Sequence, residues 1–139
     1  MDLSEFEKQI ADITKMIQSN PNDANWHQMR GTVYSQVEKH DKAIIDFNEA
    51  IRLNPDNADS YALRGAAYSE KKEFDQALTD FNKALQLDPN CKGAYQFRCV
   101  MYFEKGEYKK AVADFEEILR IDPKDNFAPS VLEHARRAI

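Results

Sequence analysis

The sequence has little glycine, proline or cysteine, with four, five and two residues among 139. So few glycines and prolines argue against a chain of many tight turns, and the runs between them are rich in residues that favour helices. Cys91 and Cys99 are too few for a zinc site of their own. Without a recognisable secretory signal, both are expected to be free thiols.

The sequence also lacks an excess of positive charge and long apolar runs. Its formal net charge is -5, and without clustered Lys and Arg we expect no nucleic-acid partner. No run approaches the roughly 20 apolar residues of a membrane span, and Met1 to Glu7 lack the basic and apolar regions of a signal peptide. We therefore expect a cytoplasmic protein without a membrane partner.

A period of 34 residues organises the chain. It separates Pro21, Pro55, Pro89 and Pro123. The same interval relates three further columns: Ala43, Ala77 and Ala111; Phe47, Phe81 and Phe115; Tyr34, Tyr68 and Tyr102. Such a period predicts a repeat architecture in which each unit packs on its neighbours.

Each unit is predicted to be a pair of amphipathic helices. In unit 58–91, apolar or small residues recur at helical spacing: Tyr61, Gly65 and Tyr68, then Ala77, Phe81 and Ala84. Asp75 is placed to cap the second helix, and Pro89 ends it. Gly65 opposite two alanines predicts that the two helices approach closely.

These columns resemble the tetratricopeptide repeat (TPR) over residues 24–57, 58–91 and 92–125. Unit two matches throughout, whereas His27 stands in an aromatic column, Cys99 in a glycine column and Ile118 in an alanine column. We interpret His27 as a packing substitute and expect the helices of unit three to lie slightly further apart. The resemblance implies an all-α superhelix of about eight helices.

The flanks are predicted to complete a single domain spanning residues 1–139, because the ends of a stack need atypical capping units. Residues 1–21 are read as a half-repeat, with a capping box at Ser4 and Glu7 and an apolar stripe of Phe6, Ile10, Ile13, Met16 and Ile17. Residues 126–139 are read as a terminal cap, in which Asn126 begins a helix that turns Val131, Leu132 and Ala135 toward unit three.

Three arginines share a column and are each followed 16 residues later by an aspartate: Arg30 and Asp46, Arg64 and Asp80, Arg98 and Asp114. Because a guanidinium can bind a carboxylate through two parallel hydrogen bonds, we predict a structural ion pair in every unit. The rival interpretation is a row of free arginines that binds anions.

No catalytic or metal-binding arrangement is recognisable. His27, His40 and His134 lie in different segments, and Gly31, Gly65, Gly93 and Gly106 stand singly, so we expect no metal site, no phosphate loop, no cofactor and no enzymatic activity. Cys99 is expected to be buried, and Cys91, in a loop between units, to be reachable by reagents.

The remaining candidate site is the concave surface of the first helices, where the resemblance implies that peptides bind. Its predicted residues are Gln28, Met29, Thr32, Leu63, Ala66, Glu70, Gln96, Phe97, Val100, Phe103 and Glu104, together with Ser35 and Gln36. Some family members hold a chaperone's terminal carboxylate with Lys, Asn and Arg in these columns. Here Gln28, Thr32, Leu63, Gly93 and Phe97 replace them, so that clamp is absent.

The sequence therefore favours a non-catalytic adaptor that holds a peptide or helix of a protein partner. The alternative is a scaffold protein that self-associates weakly through the groove or a terminal helix. Binding energy is predicted to concentrate on Phe97, Val100 and Phe103, because buried aromatic anchors dominate interfaces. The competing interpretation has Phe97 and Phe103 packing under the terminal helix.

Overall fold

The structure, a computed structural model, describes residues 1–126 and 129–137. These residues form eight α-helices and no strand: α1 Leu3–Ser19, α2 Ala24–Gln36, α3 His40–Leu53, α4 Ala58–Glu70, α5 Phe74–Leu87, α6 Lys92–Glu104, α7 Tyr108–Ile121 and α8 Pro129–Arg137. Helices α2 and α3, α4 and α5, and α6 and α7 form three hairpins, and each hairpin packs on the next. The all-α superhelix is confirmed.

The second helix of each hairpin supplies the centre of the core. Its repeated alanines and phenylalanines are almost completely buried: Ala43, Phe47, Ala50, Ala77, Phe81, Ala84, Ala111 and Phe115. A Cβ atom added to Gly31 or Gly65 would lie 2.7 Å from Cε1 of Phe47 or Phe81. Both glycines are therefore required by the close approach of the first helix to a phenylalanine ring.

The third hairpin fills the same positions with larger side chains. Cys99 and Ile118 stand in the glycine and alanine columns and are 0% and 1% exposed. Both belong to one apolar cluster with Val112, Phe115 and Ala135. Because Ala135 lies on α8, this helix covers the end of the core. The side chains of Val131 and Leu132 lie outside the described residues.

Two predicted helix starts are wrong by a few residues. Asp2 caps α1 and forms the capping box with Glu5, and the hydroxyl of Ser4 donates to the Asp2 carboxylate instead of capping the helix. Helix α5 begins at Phe74, and its N-cap residue, Glu73, makes no side-chain cap bond. Asp75 lies inside the first turn, where a negative charge still interacts favourably with the helix dipole.

The turn inside each hairpin contains one residue in the left-handed region. These residues occupy a single column of the repeat: Glu38 with φ 61°, Lys72 with φ 64° and Gly106 with φ 76°. Only the third is a glycine, which adopts such angles without steric cost. The turns of the first two hairpins therefore carry backbone strain that the third does not.

Candidate functional site

Each repeated arginine binds the aspartate that follows it by 16 residues. In the second hairpin, Nε and Nη2 of Arg64 donate to the two carboxylate oxygens of Asp80, both over 2.8 Å. The equivalent distances are 2.8 and 2.7 Å from Arg30 to Asp46, and 2.9 and 2.6 Å from Arg98 to Asp114. The three aspartates are 2–3% exposed. These contacts join the two helices of every hairpin.

The same arginines also reach the preceding hairpin. Nη1 of Arg64 donates to Asn48 and Nη1 of Arg98 to Asn82, both over 2.9 Å, while Nη1 of Arg30 donates to Thr14 over 3.1 Å. We call these three arginines and their partners the arginine ladder. Because each guanidinium is committed on both sides, the geometry favours a structural role over a row of free anion-binding arginines.

Burial and hydrogen bonding act in opposite directions on the ladder. The hydrogen bonds to Asp80 raise the pKa of Arg64, and burial works against that rise. For Asp114, burial raises the carboxyl pKa, and the hydrogen bonds from Arg98 offset only part of the effect. Desolvation is thus a real cost even where the bidentate geometry is good.

A cleft of about 410 Å³ opens on the surface formed by α2, α4 and α6. Its floor is apolar and consists of Leu63, Ala66, Ala67 and Phe97. We call it the Leu63 cleft. Leu63, Ala66 and Phe97 are half-buried, so their exposed area is available to an occupant. Phe97 is held in place by stacking on buried Phe81, with ring centroids 6.4 Å apart.

Polar side chains form the rim of the Leu63 cleft. They are Thr32, Ser35, Gln36, Glu38, His40 and Glu70. Glu38 and Glu70 are exposed, and Nδ1 of His40 is buried without a hydrogen-bond partner among the described residues. Glu38 and His40 belong to the turn and the first residue of α3, so a search restricted to first-helix columns misses them.

The Leu63 cleft brings together Thr32, Leu63, Ala66, Glu70 and Phe97 of the predicted groove. Other predicted groove residues have different surroundings. Oε1 of Gln28 accepts hydrogen bonds from Asn57 and the buried Ser60, which ties α2 to α4. Met29 and Val100 are 48% and 39% exposed and do not line this cleft. Gln96 is half-buried.

The third hairpin places its predicted groove residues against other parts of the chain. The Phe103 ring meets Tyr108 and His134 edge-on, with centroids 5.3 and 6.0 Å apart. His134 lies on α8, so Phe103 packs beneath the terminal helix, in accord with the competing interpretation. Glu104 forms an ion pair with Lys72 at 3.7 Å.

Two further residues are clarified by their contacts. His27 is 8% exposed, and its Nε2 lies 3.1 Å from the Pro21 carbonyl. Tyr61, in the same column, donates from its hydroxyl to the Pro55 carbonyl over the same distance, so His27 reproduces a tyrosine contact. Cys91 is not reachable as expected: it is 4% exposed, and burial raises the pKa of its thiol.

Chemical alternatives to a binding surface have little support in the described ranges. No group of three or more His, Cys, Asp or Glu side chains there is arranged to hold a metal. No described helix combines the length and apolar character needed to cross a bilayer. A second depression, of about 730 Å³, lies between the loops at Asn20–Asn25 and Leu53–Asn54, away from the first-helix surface, and its lining is mostly polar.

Comparisons with known proteins agree with the repeat geometry. Three models described as tetratricopeptide or TPR repeats match residues 31–72, 58–91 and 93–125. No curated relative matches the sequence significantly. The chain is similar to the solved Arabidopsis OM64 TPR domain at 31% identity and a TM-score of 0.78, covering 84% of this chain and 97% of that one.

Two other solved structures extend the comparison. The first TPR of Spaghetti (RPAP3), bound to the HSP90 peptide SRMEEVD, is 27% identical with a TM-score of 0.79, covering 84% of this chain and 94% of that one. MamA has a TM-score of 0.80 and covers 99% of this chain and 84% of its own. At 22% identity, the MamA similarity concerns the fold alone.

Proposed function

Because the chain belongs to the tetratricopeptide repeat family, whose domains are protein–protein interaction modules, we propose that it is a single-domain, non-catalytic adaptor. Its partner presents a peptide or helix to the Leu63 cleft. The proposal rests mainly on the form of this cleft, an apolar floor within a polar rim. Ligand sites commonly combine an apolar lining with a few oriented polar groups.

The size of the Leu63 cleft suits one or two anchoring side chains. Its volume of about 410 Å³ lies at the low end of the roughly 300–1,000 Å³ found for ligand pockets. Leu63 and Phe97 are already ordered by their own neighbours, so a partner would lose little free energy to reorganisation of the site. An amphipathic helix or an extended segment with an apolar anchor is the expected occupant.

The adaptor is not expected to bind as a chaperone carboxylate clamp. The columns that would supply cationic and amide donors hold Gln28, Thr32, Leu63, Gly93 and Phe97, and the Gln28 amide oxygen is already bonded to Ser60. A carboxylate placed here would be desolvated without a donor fork to offset that cost. The SRMEEVD peptide of the Spaghetti complex is therefore expected not to bind.

A displayed library of random peptides, selected on the immobilised chain, tests this function. The selected peptides should bind the wild type in fluorescence anisotropy and fail to bind Ala66→Arg, which fills the Leu63 cleft. Met29→Arg is the matched control, because it adds the same side chain to an exposed position outside the cleft. Selected peptides that bind both variants equally well would place the binding surface elsewhere, and binding of SRMEEVD would contradict the absence of a clamp.

A second candidate, self-association through α1, has its own supporting observation. Leu3 and Met16 on this helix are 60% and 39% exposed. Exposed apolar residues on a terminal helix can mark an interface between copies. Sedimentation velocity at two concentrations separates the candidates, since dimerisation through α1 depends on concentration and is abolished by Leu3→Glu with Met16→Glu.

A further inference from the structure

The rim of the Leu63 cleft carries uncompensated negative charge. Among the described residues, neither Glu38 nor Glu70 forms an ion pair, and no lysine or arginine contributes to the lining. Their neighbours outside the cleft behave differently: Glu104 pairs with Lys72, and Glu73 pairs with Lys71. The acidic residues left without a cation are thus the two that border the apolar floor.

A third polar group at the rim also lacks a partner. Nδ1 of His40 is buried at the wall of the cleft with no hydrogen-bond partner among the described residues. In the Nε2–H tautomer this atom is an acceptor. Together with the two carboxylates, it gives the rim three acceptors for an occupant rich in N–H donors.

Lysine and arginine combine the two properties that this cleft offers to match. Each has an apolar stem of methylene groups and a cationic head that donates several hydrogen bonds. A stem lying on the floor at Leu63 and Phe97 would bring its head to the rim at Glu38 and Glu70. An acidic or neutral side chain would leave the same carboxylates uncompensated, and like charges would repel.

We propose that the Leu63 cleft selects partner segments that place a lysine or arginine between Glu38 and Glu70, next to an apolar residue seated on Leu63 and Phe97. This inference rests on the proposed adaptor function and specifies the chemistry of its partner. It assigns to this cleft a cationic peptide, opposite in charge to an acidic carboxyl-terminal tail. The two carboxylates are exposed, so they contribute selectivity and association rate more than affinity.

The experiment uses the library peptides that the wild-type chain selects. We expect lysine or arginine to be enriched at one position, and replacement of that residue by norleucine to weaken binding about tenfold, as the loss of a complementary charge at a partly desolvated site does. The double variant Glu38→Gln with Glu70→Gln should bind the basic peptide as weakly as the wild type binds the norleucine peptide. Binding of the norleucine peptide should be the same for both chains.

Glu104→Gln is the matched control, because Glu104 stands in the column of Glu70 but is paired with Lys72 outside the cleft. It should leave both affinities unchanged. Thermal melting of every variant checks that the substitutions preserve the fold. Equal affinity of the double variant for both peptides, compared with wild type, would overturn this inference while Ala66→Arg still blocks binding and the adaptor function stands. If the library yields no peptide that the wild type binds, the adaptor function fails and this inference fails with it.

Discussion

The second and third repeats have the same helices in the same register, but their interiors are filled differently. Gly65 and Ala84 let α4 lie against the Phe81 ring, whereas Cys99 and Ile118 occupy the corresponding positions beside Phe115. Both arrangements keep the central phenylalanine at most 4% exposed. A repeat therefore tolerates an exchange of small for larger side chains when neighbouring elements, here α8, complete the packing.

The outer surfaces of the two repeats differ more than their interiors. In the second repeat, Leu63 and Glu70 face the open cleft. In the third, Phe103 lies under α8 and Glu104 is paired with Lys72. The comparison shows that equivalent columns acquire different surroundings at the end of a stack, because the terminal helix covers one repeat and not the other.

The largest expected effect concerns the thiol that replaces glycine in the third repeat. Burial raises the pKa of Cys99 from 9.0 to about 12, so at pH 8 its thiolate fraction should be about a thousandfold below that of an ordinary thiol. In a Cys91→Ala variant, Cys99 should react with Ellman's reagent only after unfolding in guanidinium. Reaction of the folded variant at the rate of free cysteine would show that the third repeat is open where the second is closed.

The arginine ladder should respond alike in both repeats. Asp80→Ala or Asp114→Ala leaves a partly buried guanidinium without its carboxylate, and each should lower the free energy of unfolding by about 3 kcal/mol or more. Urea denaturation followed by circular dichroism measures this change.

The exposed pair of Glu49 and Arg52 is the control for the ladder. Arg52→Ala should change the free energy of unfolding by less than about 1 kcal/mol, because solvent screens a surface pair. If Asp80→Ala were no more damaging than Arg52→Ala, the ladder would not be a stabilising device.

Phe103→Ala tests whether the third repeat has exchanged binding surface for core. Because Phe103 is half-buried against Tyr108 and His134, its removal should cost about 2 kcal/mol, less than for a fully buried phenylalanine. Affinity for selected peptides should be unchanged. Ser69→Ala, in the same column of the second repeat, should leave stability within about 0.5 kcal/mol. Loss of peptide binding with an unchanged melting temperature would instead place the site at the carboxyl-terminal half of the groove.

The smallest effect is expected in the hairpin turns. Glu38→Gly relieves a left-handed residue and should raise the free energy of unfolding by about 0.5–1 kcal/mol, after allowing for the entropy of glycine in the unfolded chain. Gly106→Ala should have the opposite effect in the third repeat. A loss of stability in Glu38→Gly would mean that contacts of the glutamate side chain outweigh the backbone strain.

Much of the fold follows from the sequence because the period is arithmetic. Once 34 residues are known to form one unit, the antiparallel helices place Arg64 opposite Asp80, and the same holds in the other units. Helix starts are less predictable, since Asp2 and Ser4 are both good capping residues and only the tertiary structure selects one. The burial of Cys91 and the rim at Glu38 and His40 depend on how turns fold against neighbouring hairpins, which helical spacing does not encode.

Each arginine of the ladder meets one partner 16 residues later and another 16 residues earlier. Both offsets are shorter than the repeat, so a duplicated unit would carry its own arginine, aspartate and asparagine to the correct places. Glu116 occupies the position of Asn48 and Asn82 and meets Arg136 of α8 at 3.4 Å, which continues the pattern into the terminal helix. The array could therefore have grown by tandem duplication without any new interface having to evolve at the junction.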